Sequence, residues 1–348
     1  MSTGSNCFEK QVKAFCAQIG ADRLLVQGAG GNFSWKDDDV LWVKASGTWL
    51  VDAESKDIFV PVNLAHLQDA LAKRDFSVKP KVNSNSGLRP SIETLLHALM
   101  PHKVVAHLHA VEILAHLVQV NARQKIKSLV AGSVKWIYID YFKPGADLAR
   151  AVSEELTNRP EADVVFMGNH GVVIGGKSVD DVVATLHTLT FKLKAQRLLS
   201  VPEISPSKRH SDFFARGYIP CVDKEVGLLA LKDVLINRLR HEWALYPDHV
   251  VFLGAKPAIF EAKSSQLDLD EIVRNTPPFI FSCSDGVYEN LAATPAQKSQ
   301  LRCYFDVVSR LGGEEKLCTL SDLQVSELLD WDAEKYRQSS TNIKQVIA

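Results

Sequence analysis

The chain has 348 residues, with 40 Lys and Arg against 41 Asp and Glu, a formal net charge of -1, and a content of 46% hydrophobic and 23% charged residues. That length exceeds the usual single domain, so two domains are expected, and either can bury a core. The composition excludes a disordered or fibrous chain, and the balanced charge argues against a general nucleic-acid surface, which needs a clear excess of Lys and Arg.

The six cysteines, Cys7, Cys16, Cys221, Cys283, Cys303 and Cys318, include no C-x-x-C pair and read as reduced structural thiols. The N-terminus lacks a basic start followed by an apolar run, and no stretch of about 18 apolar residues occurs. A cytoplasmic protein with no membrane partner is expected.

Phe8, Val12, Phe15, Cys16 and Ile19 recur at helical spacing and predict an amphipathic helix ending at Gly20. A glycine-rich turn from Gly28 to Gly31 comes next, then a hairpin in NFSWKDDDVLWVKASG, with Asp37 to Asp39 at its tip. Leu64 to Lys73 fits a short helix, and Lys79 to Arg89 reads as a loop over a site. Ser91 caps a predicted helix that runs to Met100, where Pro101 blocks continuation. Strands are predicted at Lys103 to Ala110, Val134 to Asp140 and Val164 to Met167, and a long helix from Val179 to Leu199. The segment VPEISPSKRHSD is the expected linker, which places a domain boundary at Pro206 and divides the chain into residues 1–206 and 207–348. Beyond it a helix at Val226 to Trp243, strands at His249 to Leu253 and Pro278 to Ser282, and a helix at Pro295 to Leu311 predict a smaller α/β domain.

Chemistry concentrates in the first domain. His107 and His109 lie two apart on a predicted strand, so both imidazoles face one side and can converge on one ion. His170, in FMGNHGVVIGG, sits where an apolar strand meets a glycine-flanked turn, and three imidazoles leave a zinc ion one open position for water or substrate. Glu93 falls in the first turn of the helix after Ser91, where the helix dipole favours a carboxylate. His97 lies four residues on, on the same helical face, where it can hydrogen-bond Glu93 or support the site from behind. Gly28, Gly30, Gly31 and Asn32 can offer N–H groups to an anion, as can Ser46, Gly47 and Ser91. The glycine run leads into a predicted strand, which disfavours a dinucleotide fold.

Taken in order, GAGGNFS, KASG, RPSIET, HALMPHKVVAHLHA and GNHGVVIGG resemble the class II aldolase and adducin family over about residues 8–200. The resemblance implies a three-layer α/β/α domain with a mainly antiparallel central sheet, and a metal-dependent carbon–carbon lyase related to fuculose- and rhamnulose-phosphate aldolases. It implies one zinc per chain on His107, His109 and His170, Glu93 as acid/base, and a phosphate site at Asn32, Ser46, Gly47 and Ser91. The reaction implied is cleavage of a ketose 1-phosphate or related sugar to dihydroxyacetone phosphate and an aldehyde through a metal-stabilised enediolate. The alternatives are a sugar-acid phosphate decarboxylase or dehydratase on the same site, or a non-catalytic adducin-like interaction protein. Family members are commonly tetramers, so a homo-oligomer is implied.

The match has departures. Ile92 stands where fuculose-phosphate aldolase has a second serine, and no residue between Val111 and Gly132 matches its catalytic tyrosine. Epimerases of the family carry an aspartate at the Glu93 position, and adducins lack the zinc histidines that this chain keeps. The C-terminal segment LSDLQVSELLDWDAEKYRQ resembles the tail of longer rhamnulose-phosphate-aldolase-like proteins, with Trp331 and Tyr336 read as core or interface aromatics.

Overall fold

The computed structural model describes residues 3–84, 86–197 and 210–343. The chain forms two compact units, Met1–Lys194 together with Asp330–Ala348, and Ala195–Leu329. The expected boundary at Pro206 lies outside the described residues. Asp330–Ala348, assigned by sequence to the second domain, groups with the first unit, because Trp331 and Tyr336 pack on Lys143 and Arg89.

The first unit is built on seven strands: β1 (Asn32–Asp37), β2 (Val40–Lys44), β3 (Phe59–Asn63), β4 (Val104–Leu108), β5 (Trp136–Ile139), β6 (Val164–Met167) and β7 (Gly171–Gly176). They lie in the order β3-β2-β1-β4-β7-β6-β5, and only β5 and β6 pair in parallel. Helices α1 (Thr3–Ala21), α2 (Leu64–Ala72), α3 (Thr94–Leu99), α4 (Val111–Leu117), α5 (Ala122–Leu129), α6 (Ala146–Asn158) and α7 (Val179–Lys192) cover both faces. The period-2 alternation of strand side chains sorts the two layers. On β4, Val104, Ala106 and Leu108 enter the core shared with α1 and α7, whereas Val105 packs with Leu96 and Met100 around α3. Phe33 and Trp35 of β1, and Val172 and Ile174 of β7, also face the α1 and α7 side. Removing each large apolar side chain of this set from water stabilises the fold by about 1.5–3 kcal/mol. His107, Asn32 and Ser34, at the alternate positions, therefore face α3.

The second unit carries β8 (Tyr218–Pro220), β9 (Ala258–Phe260), β10 (Phe279–Ser282) and β11 (Gly286–Asn290), in the order β8-β11-β10-β9. Around them lie α8 (His210–Phe214), α9 (Leu228–Leu231), α10 (Asp233–His241), α11 (Pro247–Leu253), α12 (Gln266–Arg274), α13 (Pro295–Val308) and α14 (Asp322–Leu329). A final helix, α15 (Asp332–Ile343), belongs to the first unit. This is an α/β chain with a mainly antiparallel central sheet and a further α/β region.

Four expectations about local structure are corrected. His249 to Leu253 is helical within α11, because Pro247 opens the helix and every residue from Pro247 to Leu253 is buried, so its apolar run has no strand-like alternation. The helix expected over Val226 to Trp243 is split into α9 and α10 by Lys232, which is extended at φ -107° and ψ 125°. Glu93 is the N-cap of α3 rather than part of its first turn, since Ser91 and Thr94 close a tight turn before the helix begins. The long helix from Val179 ends at Lys192, and residues 198–209 lie outside the described residues.

His249 is fully buried against the Trp243 ring at 4.2 Å and the Tyr304 ring at 4.8 Å. Neither of its ring nitrogens has a hydrogen-bond partner among the described residues, and burial pushes the imidazole down to about 3. The folded state thus resists a proton that the unfolded chain accepts below about pH 6.5. This part of the stability is present at neutral pH and is lost as the pH falls from about 6.5 towards about 3, on the order of 2 kcal/mol by about pH 4.5. His249→Phe should raise the melting temperature more at about pH 5 than at about pH 7.5, as read by calorimetry. Equal shifts at the two pH values would show that His249 carries no such proton linkage.

Candidate metal centre

Antiparallel pairing places the start of β1, the end of β4 and the start of β7 at one end of the sheet. Asn32 pairs with His107, and His107 pairs with Val173. Strand β4 stops at Leu108, so His109 emerges just past its end. His170 is presented by a turn in which Asn169 takes the left-handed conformation, φ 52°, which asparagine tolerates better than most residues. Position 171 admits nothing larger than glycine: a Cβ there would lie 2.5 Å from the Leu108 carbonyl oxygen and 3.0 Å from the His109 ring.

The result is a buried cluster of His107, His109 and His170, whose ligand atoms all lie within 4.8 Å of one another. Nε2 of His107 and Nε2 of His109 are 3.1 Å apart. Two ligands of one tetrahedral zinc, on bonds of about 2.0–2.1 Å, are separated by roughly 3.3 Å, so the pair is spaced for a shared ion. His107 Nδ1 donates to the Val172 carbonyl oxygen at 3.2 Å, which leaves the Nε2 lone pair facing the cluster. Burial brings the His107 imidazole down to about 3 against the pull of Glu93, and the neutral ring is the form that ligates a metal.

Glu93 reaches this cluster from the N-terminus of α3. Its Oε1 lies 3.2 Å from His170 Nε2, its Oε2 lies 3.4 Å from His107 Nε2, and Asn32 Nδ2 donates to Oε2 at 2.8 Å. Burial alone would raise this carboxyl, but the His107 and His170 imidazoles, with His109 behind them, hold it well below the usual carboxylate range. His97, one turn along α3, is tied through Nδ1 to Ser34 Oγ at 2.8 Å, and burial lowers it to about 4.

The residues expected to meet an anion are only partly brought together. Ser46 and Gly47 form the turn after β2, with Gly47 at φ 75°, and the Ser46 amide donates to the Arg89 carbonyl. Ser91 donates from its amide to the Lys44 carbonyl, and its Oγ accepts from the Glu93 amide at 3.2 Å. The Asn32 side-chain amide is engaged with Glu93. Two supporting residues escape sequence reasoning. Lys44 is 1% exposed, and its ammonium donates to the Thr48 carbonyl at 2.7 Å and the Ala29 carbonyl at 3.2 Å, tying the glycine run to the Ser46 turn. Gln27 Nε2 donates to the His109 carbonyl at 3.3 Å. A terminal strand lysine carries no sequence signal for burial, since lysine is normally exposed.

The model of the Class II Aldolase and Adducin N-terminal domain matches residues 10–197, more than half of the chain. The chain belongs to this family. It is 30% identical over 176 residues to the "uncharacterized oxidoreductase YuxG" of Bacillus subtilis, a match covering 46% of this chain and 25% of that protein. It therefore spans about a quarter of that relative's length. It is also 27% identical over 195 residues to an L-fuculose phosphate aldolase of Methanocaldococcus jannaschii, covering 53% of this chain and 93% of the relative. Among solved structures, the N-terminal class II aldolase domain of a conserved protein from Thermoplasma acidophilum is 26% identical, covering 53% of this chain and 90% of that one, at a TM-score of 0.44.

Because the Gly171 position abuts the Leu108 carbonyl and both strand histidines, Gly171→Ala must push β4 and β7 apart at the cluster. A loss of about 1–3 kcal/mol in stability is expected, together with weaker metal retention, measured by thermal unfolding and elemental analysis on the same preparation. A variant as stable and as metal-competent as the parent would mean that the turn relaxes without disturbing the histidines.

Proposed function

We propose that this protein is a zinc-dependent aldolase that cleaves a ketose 1-phosphate, or a related sugar, to dihydroxyacetone phosphate and an aldehyde. The observation that carries the reading is the convergence of three buried imidazoles with a buried carboxylate at one sheet end. His107, His109 and His170 would hold one zinc per chain, a donor set that suits zinc better than magnesium or calcium. Bound there, the ion would supply Lewis-acid stabilisation of negative charge developing on the substrate's carbonyl oxygen.

Glu93 would move the proton at the reacting carbon. Its ionised form suits a base, and Asn32 holds one of its oxygens in place. The backbone around Ser46 and Gly47, with Ser91, would take the phosphate, joined by Asn32 if its amide leaves Glu93 on substrate binding. All of these residues lie in the first unit. The homo-oligomer and the cytoplasmic setting belong to the same proposal; among the described residues no helix is long and apolar enough to cross a membrane.

The oxidoreductase name of the Bacillus subtilis relative does not carry over, because most of that protein lies outside the match. The glycine run of this chain also enters β1 rather than a helix, which is not the dinucleotide-binding context. Decarboxylation or dehydration of a sugar-acid phosphate would use the same histidines and Glu93.

Zinc close to one equivalent per chain is expected after purification without chelators or a metal-affinity tag. His107→Ala, His109→Ala and His170→Ala should each lower it, whereas His66→Ala should not. Metal well below one equivalent that added zinc cannot restore would sink the reading.

Glu93→Gln should keep the metal and lose about 10² to 10⁴ in turnover. Turnover is to be measured on a panel of ketose phosphates, free ketoses and sugar acids, scoring released aldehyde or carbon dioxide. Undiminished turnover would reassign Glu93 as a helix-terminal acid, and release of carbon dioxide instead of aldehyde would favour the decarboxylase.

A further inference from the structure

After the second unit the chain returns to the first, and its C-terminal strap lies against Arg89, just before Ser91, and against Lys143 and Gly145. Two aromatic residues make the contact. The Arg89 guanidinium sits 4.1 Å from the centre of the Tyr336 ring, and the Lys143 ammonium sits 4.9 Å from the Trp331 ring. Trp331 also covers Gly145, where a Cβ would lie 3.4 Å from the indole and 4.0 Å from the Ile92 carbonyl oxygen. The strap thus meets the chain at Arg89 through Tyr336, and at Lys143 and Gly145 through Trp331, the glycine lying where its own turn approaches the Ile92 carbonyl. Within α15 the buried Glu334 pairs with Arg337 at 3.2 Å, and the Glu334 amide donates to the Trp331 carbonyl, so the helix holds its own shape.

The segment from Arg89 to Glu93 has reason to need an outside anchor. Helix α3 is only six residues long, and its N-cap, Glu93, makes no side-chain capping bond because its carboxylate is turned into the histidine cluster. On its other side the segment is held by backbone contacts: Ser46 to Arg89, Ala45 against Pro90, and Ser91 to Lys44.

We propose that Trp331 and Tyr336 are positioning residues: Tyr336 holds Arg89 directly, Trp331 holds the turn at Lys143 and Gly145 that backs Ile92, and together they fix Ser91 and Glu93 relative to the three histidines. This deepens the functional reading above, since it assigns the strap a role at that site. It also separates two kinds of contribution: the metal cluster is built by the sheet, whereas the placement of Glu93 depends in part on chain that comes after the second unit.

The test uses the full-length chain and compares Trp331→Ala, Tyr336→Ala and the double variant with Trp331→Phe and Tyr336→Phe, which keep an aromatic face. Amide hydrogen exchange is measured at Ser46, Ser91, Glu93 and Thr94, whose amides report this segment, and at β4 and β7 as reference strands. The alanine variants should exchange about three- to tenfold faster at the four reporter amides and at parental rates in the strands, with zinc content unchanged and the phenylalanine variants close to the parent. Parental rates at the reporters would overturn the proposal. So would an equal acceleration in β4 and β7, because that would make the strap ordinary packing.

With dihydroxyacetone phosphate as probe, exchange of its carbon-bound proton into deuterated water should fall about tenfold in the double variant at constant zinc content. A parent that leaves this probe untouched would count against the lyase reading alone, since amide exchange decides the strap by itself.

Discussion

A carboxylate buried with three imidazoles is the interaction around which the first unit is arranged. Glu93 is 7% exposed, and an ionised group taken that far from water is tolerated only if its oxygens are met by polar partners. Those partners arrive from three separate strands or their ends: Asn32 on one oxygen, His107 and His170 across both. Each histidine is itself held by a second feature, His107 by the Val172 carbonyl and His170 by the left-handed turn at Asn169. The site is therefore as stable as the strand pairing that delivers it.

The division of labour between the two faces of the sheet comes from strand geometry. Apolar residues at alternate positions of β1, β4 and β7 fill the layer under α1 and α7, which leaves the opposite face of the same strands for Asn32, Ser34 and His107. A slip of one residue in the register of β4 would bury His107 in the apolar layer and turn Ala106 and Leu108 toward α3. The hydrophobic core on one side thus specifies the polar cluster on the other. The buried Lys44 acts likewise at the margin, joining two glycine-bearing turns through their carbonyls.

Much of the local structure is legible in the sequence because its signals are local. The apolar spacing from Phe8 to Ile19 marks α1, the apolar run from Val164 to Met167 marks β6, and the Asp-rich tip marks the β1–β2 hairpin. Legibility fails where a local pattern has two solutions. The run after Pro247 is buried on every side, so period cannot separate strand from helix, and the break at Lys232 has no proline or glycine to announce it. The sequence pattern puts Glu93 in the first helical turn, whereas its place as N-cap depends on a turn closed by Ser91 and Thr94.

By itself, the sequence determined the residue types able to do the chemistry and the short-range geometry that pairs His107 with His109, since side chains two apart on a strand must share a face. Through five motifs in order, it also determined the family. Only the tertiary structure decided that His170 and Glu93 meet that pair, that Asn32 is engaged with Glu93, and that the chain after Leu329 returns to the unit holding the histidines. The physical reason is separation along the chain. Asn32 and Glu93 are 61 positions apart, and His107 and Val172 are 65. Such contacts are set by which strands pair and which faces they bury, and no window of sequence short enough to show a period contains both partners.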